Sequence, residues 1–238
     1  MNQAEKDIIL EKAQKWFKDS IAENHIKNTK KLKTASVFDI NPFLAVYLSN
    51  FLTGKAKPEG IAKALVYPRA LGTSITTSFG TNIQKFTNEV LSSFGSTTSG
   101  IDIEFIDQIN NNKIYCQLKS GPNTINKDDV ETITGHFKSV INLGRTNSLR
   151  ITHDDMVVGI IYGDTASLNG HYKRITTDYH YPIYIGQDFW HRLTGDKDFY
   201  TDLIHAIGKV AAEADFTEEL NEVIKELAKT PEVRQLSK

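Results

Sequence analysis

The sequence predicts an α/β protein: a mixed central sheet of four to six strands flanked by helices, with a helical lobe before it and helices after it. Three observations carry this. The first ~95 residues show helical spacing and helix punctuation. Residues 101–119 switch to a period of two around an asparagine cluster. Beyond them, two short β-branched runs, MVVGIIYG and YPIYIG, are set among helical stretches.

The elements follow in order. A helix fits residues 3–23, with Ile8, Ile9, Ala13, Trp16 and Phe17 on one face. The basic connector NHIKNTKKLKT comes next. Asn41-Pro42 gives an N-cap with proline at the first helical position, and Gly54 a stop. Pro58-Glu59 opens a helix ending near Tyr67-Pro68. SFGTNIQKFTNEVLSSFG places Phe79, Ile83, Phe86, Val90 and Phe94 at helical spacing, with Gly95 after them. GIDIEFID then alternates, Asn110-Asn111-Asn112 is turn chemistry, and KIYCQLK alternates again, which reads as a β-hairpin. Asn126 caps a helix with Asp128 and Asp129 in its first turn, ending near Gly144. The strands of MVVGIIYG and YPIYIG follow, then a helix from Gln187 to Leu193 and a helical tail over residues 199–229. Trp16 and Trp190 are expected in the core.

Composition bounds the class. The chain has 238 residues, 39% of them hydrophobic and 24% charged. It is long enough to bury a core without covalent staples. One cysteine rules out a disulfide framework or a cysteine-based zinc site, and the seven histidines lack metal spacing. No apolar run approaches the ~18 residues of a membrane span. The N-terminus lacks the pattern of a signal peptide, so a soluble, cytoplasmic protein is expected. The net charge of −1 hides an asymmetry: residues 24–94 carry nine Lys/Arg against three Asp/Glu, and residues 211–238 seven acids against four bases. A basic lobe beside an acidic tail points to a polyanion partner.

The hairpin carries the chemistry. Asp102 and Glu104 share one face of its first strand; Tyr115, Gln117 and Lys119 share one face of its second. A two-residue turn at Asn110-Asn111 sets Asp102 opposite Lys119 and Glu104 opposite Gln117. A turn at Asn111-Asn112 sets Glu104 opposite Lys119. Either register leaves the polar sets on the same face, because the parity is unchanged. Carboxylate, amide and carbonyl oxygens suit Mg²⁺, and an adjacent lysine suits the attacking water and the phosphate charge. Ser120-Gly121, directly after Lys119, permits close approach of a nucleic-acid backbone.

G-I-D-I-E-F, a hairpin and C-Q-L-K-S-G resemble the core of the PD-(D/E)xK nuclease superfamily. Asn41-Pro42-Phe43, Tyr67-Pro68-Arg69-Ala70-Leu71-Gly72, QLKSGPNTINKDD, VVGIIYGD with the later HYK, and YIGQDFWHRLTG extend the resemblance to type II restriction endonucleases of the PmeII-like group, over roughly residues 38–210. The resemblance implies a restriction-endonuclease-like fold, with residues 1–95 a helical lobe for dimerisation or DNA grip and residues 96–238 the nuclease core with its C-terminal helices. It implies a Mg²⁺-dependent homodimer that cuts double-stranded DNA at a short palindrome, paired with a cognate DNA methyltransferase. Asp102, Gln117 and the carbonyl of Leu118 would bind the metal, and Lys119 would act on the water. Ser120, Asn123, Lys127 and Lys173 are candidate DNA contacts. Two departures stand out. Ile101 replaces the usual proline, and Gln117 stands where Asp or Glu is usual. Glu104, Glu89 and Glu131 are each able to supply the missing charge, with Glu104 first because it shares the face. Two other readings stay open: a catalytically weak DNA-binding module on a nuclease fold, and a repair or structure-specific nuclease.

Overall fold

Alternation in residues 103–119 builds the hairpin that the rest of the sheet extends. In the computed structural model, which describes residues 1–212 and 216–237, β1 (Ile103–Ile106) pairs antiparallel with β2 (Lys113–Lys119). β2 pairs parallel with β3 (Met156–Ile160), and β3 parallel with β4 (Ile183–Ile185). Among the described residues this makes a mixed four-stranded sheet in the order β1-β2-β3-β4. Parallel neighbours need crossovers, and helices supply them. α7 (Lys127–Thr146) joins β2 to β3, and α8 (Gly170–Tyr179) joins β3 to β4. The sequence reading placed no helix at α8, although Asn169 caps it by accepting from the backbone N–H groups of His171 and Tyr172.

The hairpin register differs from both expected ones. Glu104 lies opposite Tyr115 and Ile106 opposite Lys113, which brings Asp102 level with Gln117 rather than Lys119. The connection is longer than a two-residue turn. The amide of Asp107 donates to the carbonyl of Asn112 (2.9 Å), and Asn111 takes the left-handed conformation (φ 61°) inside the loop. Asp107 fixes this loop. It is fully buried, accepts from the backbone N–H of Ile109 (2.8 Å) and pairs with Arg192 (2.7 Å). The slip is by an even number, so the faces survive.

The chain divides into two compact units. One comprises Met1–Trp16 and Asn82–Gly208. It contains the sheet, α1 (Gln3–Trp16), α6 (Ile83–Glu89), α9 (Gln187–Thr194) and most of α10 (Phe199–Ala212). α7 and α8 cover one face, packing Val130, Ile133, Phe137, Val140, Tyr172 and Ile175 on Met156, Val158 and Ile160 of β3. Gly159 faces the other way. A Cβ there would meet Cys116 and Phe189 of α9 at 2.7 Å, so this layer closes only because β3 carries a glycine. Trp190 of the same helix packs edge-on against Phe86 and tilted against Phe199, and Trp16 packs edge-on against Phe86, which places both tryptophans in the core as expected.

The second unit comprises Phe17–Thr81 and Lys209–Lys238. α1 runs on as a π-helical stretch, Phe17–Ala22, into α2 (Glu23–Thr29), so the expected basic connector is largely helical. α3 (Pro42–Thr53) has the expected Asn41 cap and Gly54 stop at φ 71°. α4 (Pro58–Pro68), α5 (Ile75–Thr81), α11 (Thr217–Ala228) and α12 (Pro231–Leu236) complete it. Ile61, Ala62 and Val66 of α4 pack with Val223, Ile224 and Leu227 of α11 and Val233 of α12. Packing therefore does not divide the chain at residue 95. Residues 1–16 belong with the sheet, and the acidic C-terminal helices belong with the helical unit, because their apolar faces match there. No helix among the described residues is long and apolar enough to cross a membrane.

Candidate active site

β2 places Tyr115, Gln117 and Lys119 on the face that α7 covers, and Asp102 enters that face at the start of β1. Asp102 is fixed from two sides. Its backbone N–H donates to the carbonyl of Cys116 (3.0 Å), and its Oδ2 accepts from the backbone N–H of Leu118 (2.7 Å). A strand residue points its N–H and C=O to the same side. The carbonyl of Leu118 is therefore directed to the edge occupied by Asp102, beyond the end of β1. Burial raises the Asp102 carboxyl above its usual range, against the opposing pull of the Leu118 N–H and the Lys119 charge.

Gln117 is buried, and its amide nitrogen is held twice. It donates to the carbonyl of Gly100 and to Nδ1 of His136 on α7 (2.7 Å). Among the described residues neither the Gln117 Oε1 nor the Asp102 Oδ1 has a hydrogen-bond partner, and Lys119 has no ion pair. One carboxylate oxygen, one amide oxygen, one carbonyl and one ammonium are thus brought to the end of β2. This donor set fits a hard cation of the Mg²⁺ kind, completed by water and phosphate oxygens. No cluster of three or more His, Cys, Asp or Glu side chains suited to a metal occurs among the described residues.

Glu104 shares the face, but both its oxygens are engaged. Oε1 accepts from the hydroxyls of Ser96 (2.6 Å) and Thr98 (2.8 Å), and Oε2 pairs with Lys113 (2.7 Å). Burial opposes its ionisation, yet Lys113, Ser96 and Thr98 together hold its carboxyl below the usual range. Its role in this geometry is to brace residues 96–98, the segment leading to Gly100, rather than to reach outward. Of the other two candidate carboxylates, Glu89 is exposed beside Lys85 (3.8 Å), and Glu131 is exposed on α7.

The loop after Lys119 is tied to α8. The Tyr172 hydroxyl donates to the carbonyl of Gly121 (3.0 Å), Asn169 donates its side-chain amide to the carbonyl of Ile125 (3.0 Å), and the Asn169 N–H donates to the carbonyl of Pro122 (3.1 Å). Of the candidate DNA contacts, Asn123, Lys127 and Lys173 are exposed around the carboxyl ends of β2 and β3, while Ser120 is buried at 6% exposure. The Lys30–Lys33 run lies elsewhere, in the helical unit. There Lys30 and Lys33 line one hollow with Glu219, Glu222 and Glu226 of α11.

Sequence reasoning missed Gly100 and His136. His136 is half-buried, because the buried stripe Ile133, Phe137, Val140 of α7 passes beside it. Gly100 is required twice: its φ is 78°, and a Cβ would come within 2.5 Å of the His136 ring.

No curated protein matches the chain. Residues 11–215 match the family model described as type II restriction endonuclease EcoO109I. That match spans most of the chain, and with the hairpin geometry it places the protein in the EcoO109I family of type II restriction endonucleases, which are site-specific deoxyribonucleases.

Proposed function

We propose that the chain cuts both strands of a short palindrome in double-stranded DNA, with Mg²⁺, as a homodimer, and that it belongs with the PmeII-like group. The observation that carries the chemical part is that Asp102, Gln117 and Lys119 lie on one face near the end of β2, with Asp102 level with Gln117 and bonded to the backbone of Leu118. In this reading Asp102, Gln117 and the Leu118 carbonyl hold the cation. A divalent cation bound there would offset phosphate charge and ease deprotonation of water. Lys119 orients the attacking water in line with the scissile bond and balances the charge that develops on the phosphate. Asn123, Lys127 and Lys173 meet the DNA backbone at the carboxyl ends of the parallel strands, the end where open α/β sheets place their ligands, while the buried Ser120 shapes the turn behind them. Glu104 acts through the segment it braces.

The homodimer draws support from α3. Its helical stripe of Phe43, Leu44, Tyr47, Leu48, Phe51 and Leu52 is exposed by 38–84%. Monomers rarely leave more than roughly a few hundred Å² of contiguous apolar surface uncovered. A two-fold symmetric partner would cover this face and supply the second site that a palindrome needs. A methyltransferase protecting the same site completes the system.

The neutral Gln117 favours one competing reading, a binding module with a weakened nuclease core. Incubation of supercoiled plasmid with the protein and Mg²⁺ separates the cases. Discrete fragments support a restriction enzyme. Smears or cuts confined to junctions would point to a repair nuclease, and tight binding without cutting to a weakened core.

A further inference from the structure

We propose that His136 is a positioning residue that aims the Gln117 side-chain oxygen, and that Gly100, His136 and Gln117 form one clamp. The inference rests on the metal-binding reading of the site. A side-chain amide has two N–H donors and one acceptor oxygen. In Gln117 both donors are used, one on the Gly100 carbonyl and one on His136 Nδ1 at 2.7 Å. Rotating the amide by half a turn would set its oxygen against the Gly100 carbonyl, two acceptors facing each other in a buried place. The clamp therefore permits one orientation, which turns Oε1 away from both partners. Nδ1 acts as the acceptor, so the ring proton of the neutral imidazole sits on Nε2.

The remaining parts interlock. Gly100 lacks the Cβ that would strike the His136 ring, holds a left-handed φ of 78°, and its carbonyl accepts from the Gln117 amide. Glu104 holds Ser96 and Thr98, just ahead of Gly100. The clamp also explains why an amide works here. A carboxylate finds a cation by charge, whereas an amide oxygen is a ligand only when it points correctly. Partners that orient a metal ligand typically change affinity by about 10–100-fold.

The test is Mn²⁺ binding to the full-length protein, read by electron paramagnetic resonance of the free ion, with cleavage followed in parallel. His136→Ala is expected to weaken Mn²⁺ affinity by about tenfold or more. His136→Asn, whose side-chain oxygen can take the place of Nδ1, should recover most of it. In a Gln117→Ala background His136→Ala should add nothing, since the two act as one unit. Wild-type affinity in His136→Ala, or losses that simply add in the double variant, would overturn the clamp. Asp102→Ala separates the two levels. If it weakens Mn²⁺ binding while His136→Ala does not, the clamp alone fails. If Asp102→Ala binds Mn²⁺ as wild type does, the metal reading fails and the clamp with it.

Discussion

Asp102 offers an unengaged carboxylate oxygen to the site, while Glu104, in register two residues further along β1, is held by Ser96, Thr98 and Lys113. In the proposed reading Asp102 is therefore the carboxylate that holds the cation, and Glu104, Glu89 and Glu131 are not. Glu104→Gln, Glu89→Gln and Glu131→Gln should each keep single-turnover cleavage within about tenfold of wild type, whereas loss of the metal-binding carboxylate costs orders of magnitude. Glu104→Gln should also lower unfolding stability by about 1–3 kcal/mol, because charge-assisted bonds and the brace on residues 96–98 are weakened. A variant of Glu89 or Glu131 as inactive as Asp102→Ala would identify a further ligand and contradict this reading. That Asp102, Gln117 and Lys119 share a face was legible in the sequence, because a period of two fixes faces whatever the register. His136 and Gly100 were not. Their link to Gln117 runs through space, across 17 and 19 positions of chain, and residue type alone does not announce it.

At the scale of elements, caps and stops were readable and long-range pairings were not. Asn41 and Asn126 begin helices and Gly54 ends one where their chemistry requires, and β3 and β4 follow the β-branched runs. The hairpin register was missed because a distant pair sets the loop: Asp107 is 85 positions from Arg192. Asp107→Ala removes the buried Arg192 pair and the bond to the Ile109 N–H, while Arg192, partly exposed, keeps Asp188 as a partner. It should therefore cost about 1–3 kcal/mol in urea unfolding, while its effect on DNA cleavage stays secondary. An unchanged midpoint would show that the pair does not hold the loop. A more exposed pairing ties α1 to the turn after α9 and to the first turn of α10, where Lys6 meets Asp196 (2.6 Å) and Asp202 (2.5 Å). These bonds raise the Lys6 ammonium and lower the Asp196 carboxyl relative to their ordinary values. The Asp196 contribution is complete above the ordinary carboxylate value of about 4 and is lost as pH falls through the lowered folded value. The Lys6 contribution is complete below about 10.4 and is lost as pH rises through the raised one. Lys6→Met should thus remove a plateau of about 1 kcal/mol or less between those limits. Stability curves of the two proteins that stay parallel across the acid limb would contradict it.

At the scale of the whole molecule, the class of fold was legible but the assembly of the chain was not. The chain leaves the sheet unit after Trp16, returns at Asn82 and leaves again after Gly208. A boundary drawn along the sequence cannot show that α1 and the acidic helices exchange sides, since each is amphipathic and its partner is distant in sequence. The α3 stripe gives the molecular prediction: Phe43→Glu with Phe51→Glu should convert a dimer to a monomer in sedimentation while the far-ultraviolet spectrum stays unchanged. A monomeric wild type would contradict the homodimer, and a dimeric double variant would move the interface elsewhere. The measurement nearest the central claim compares wild type, Asp102→Ala and Lys119→Ala for plasmid cleavage with Mg²⁺ and for duplex binding in the same preparations. The account predicts discrete fragments from wild type, rates reduced by several orders of magnitude in both variants, and duplex binding retained by all three proteins. Cleavage at the wild-type rate by either variant would contradict it.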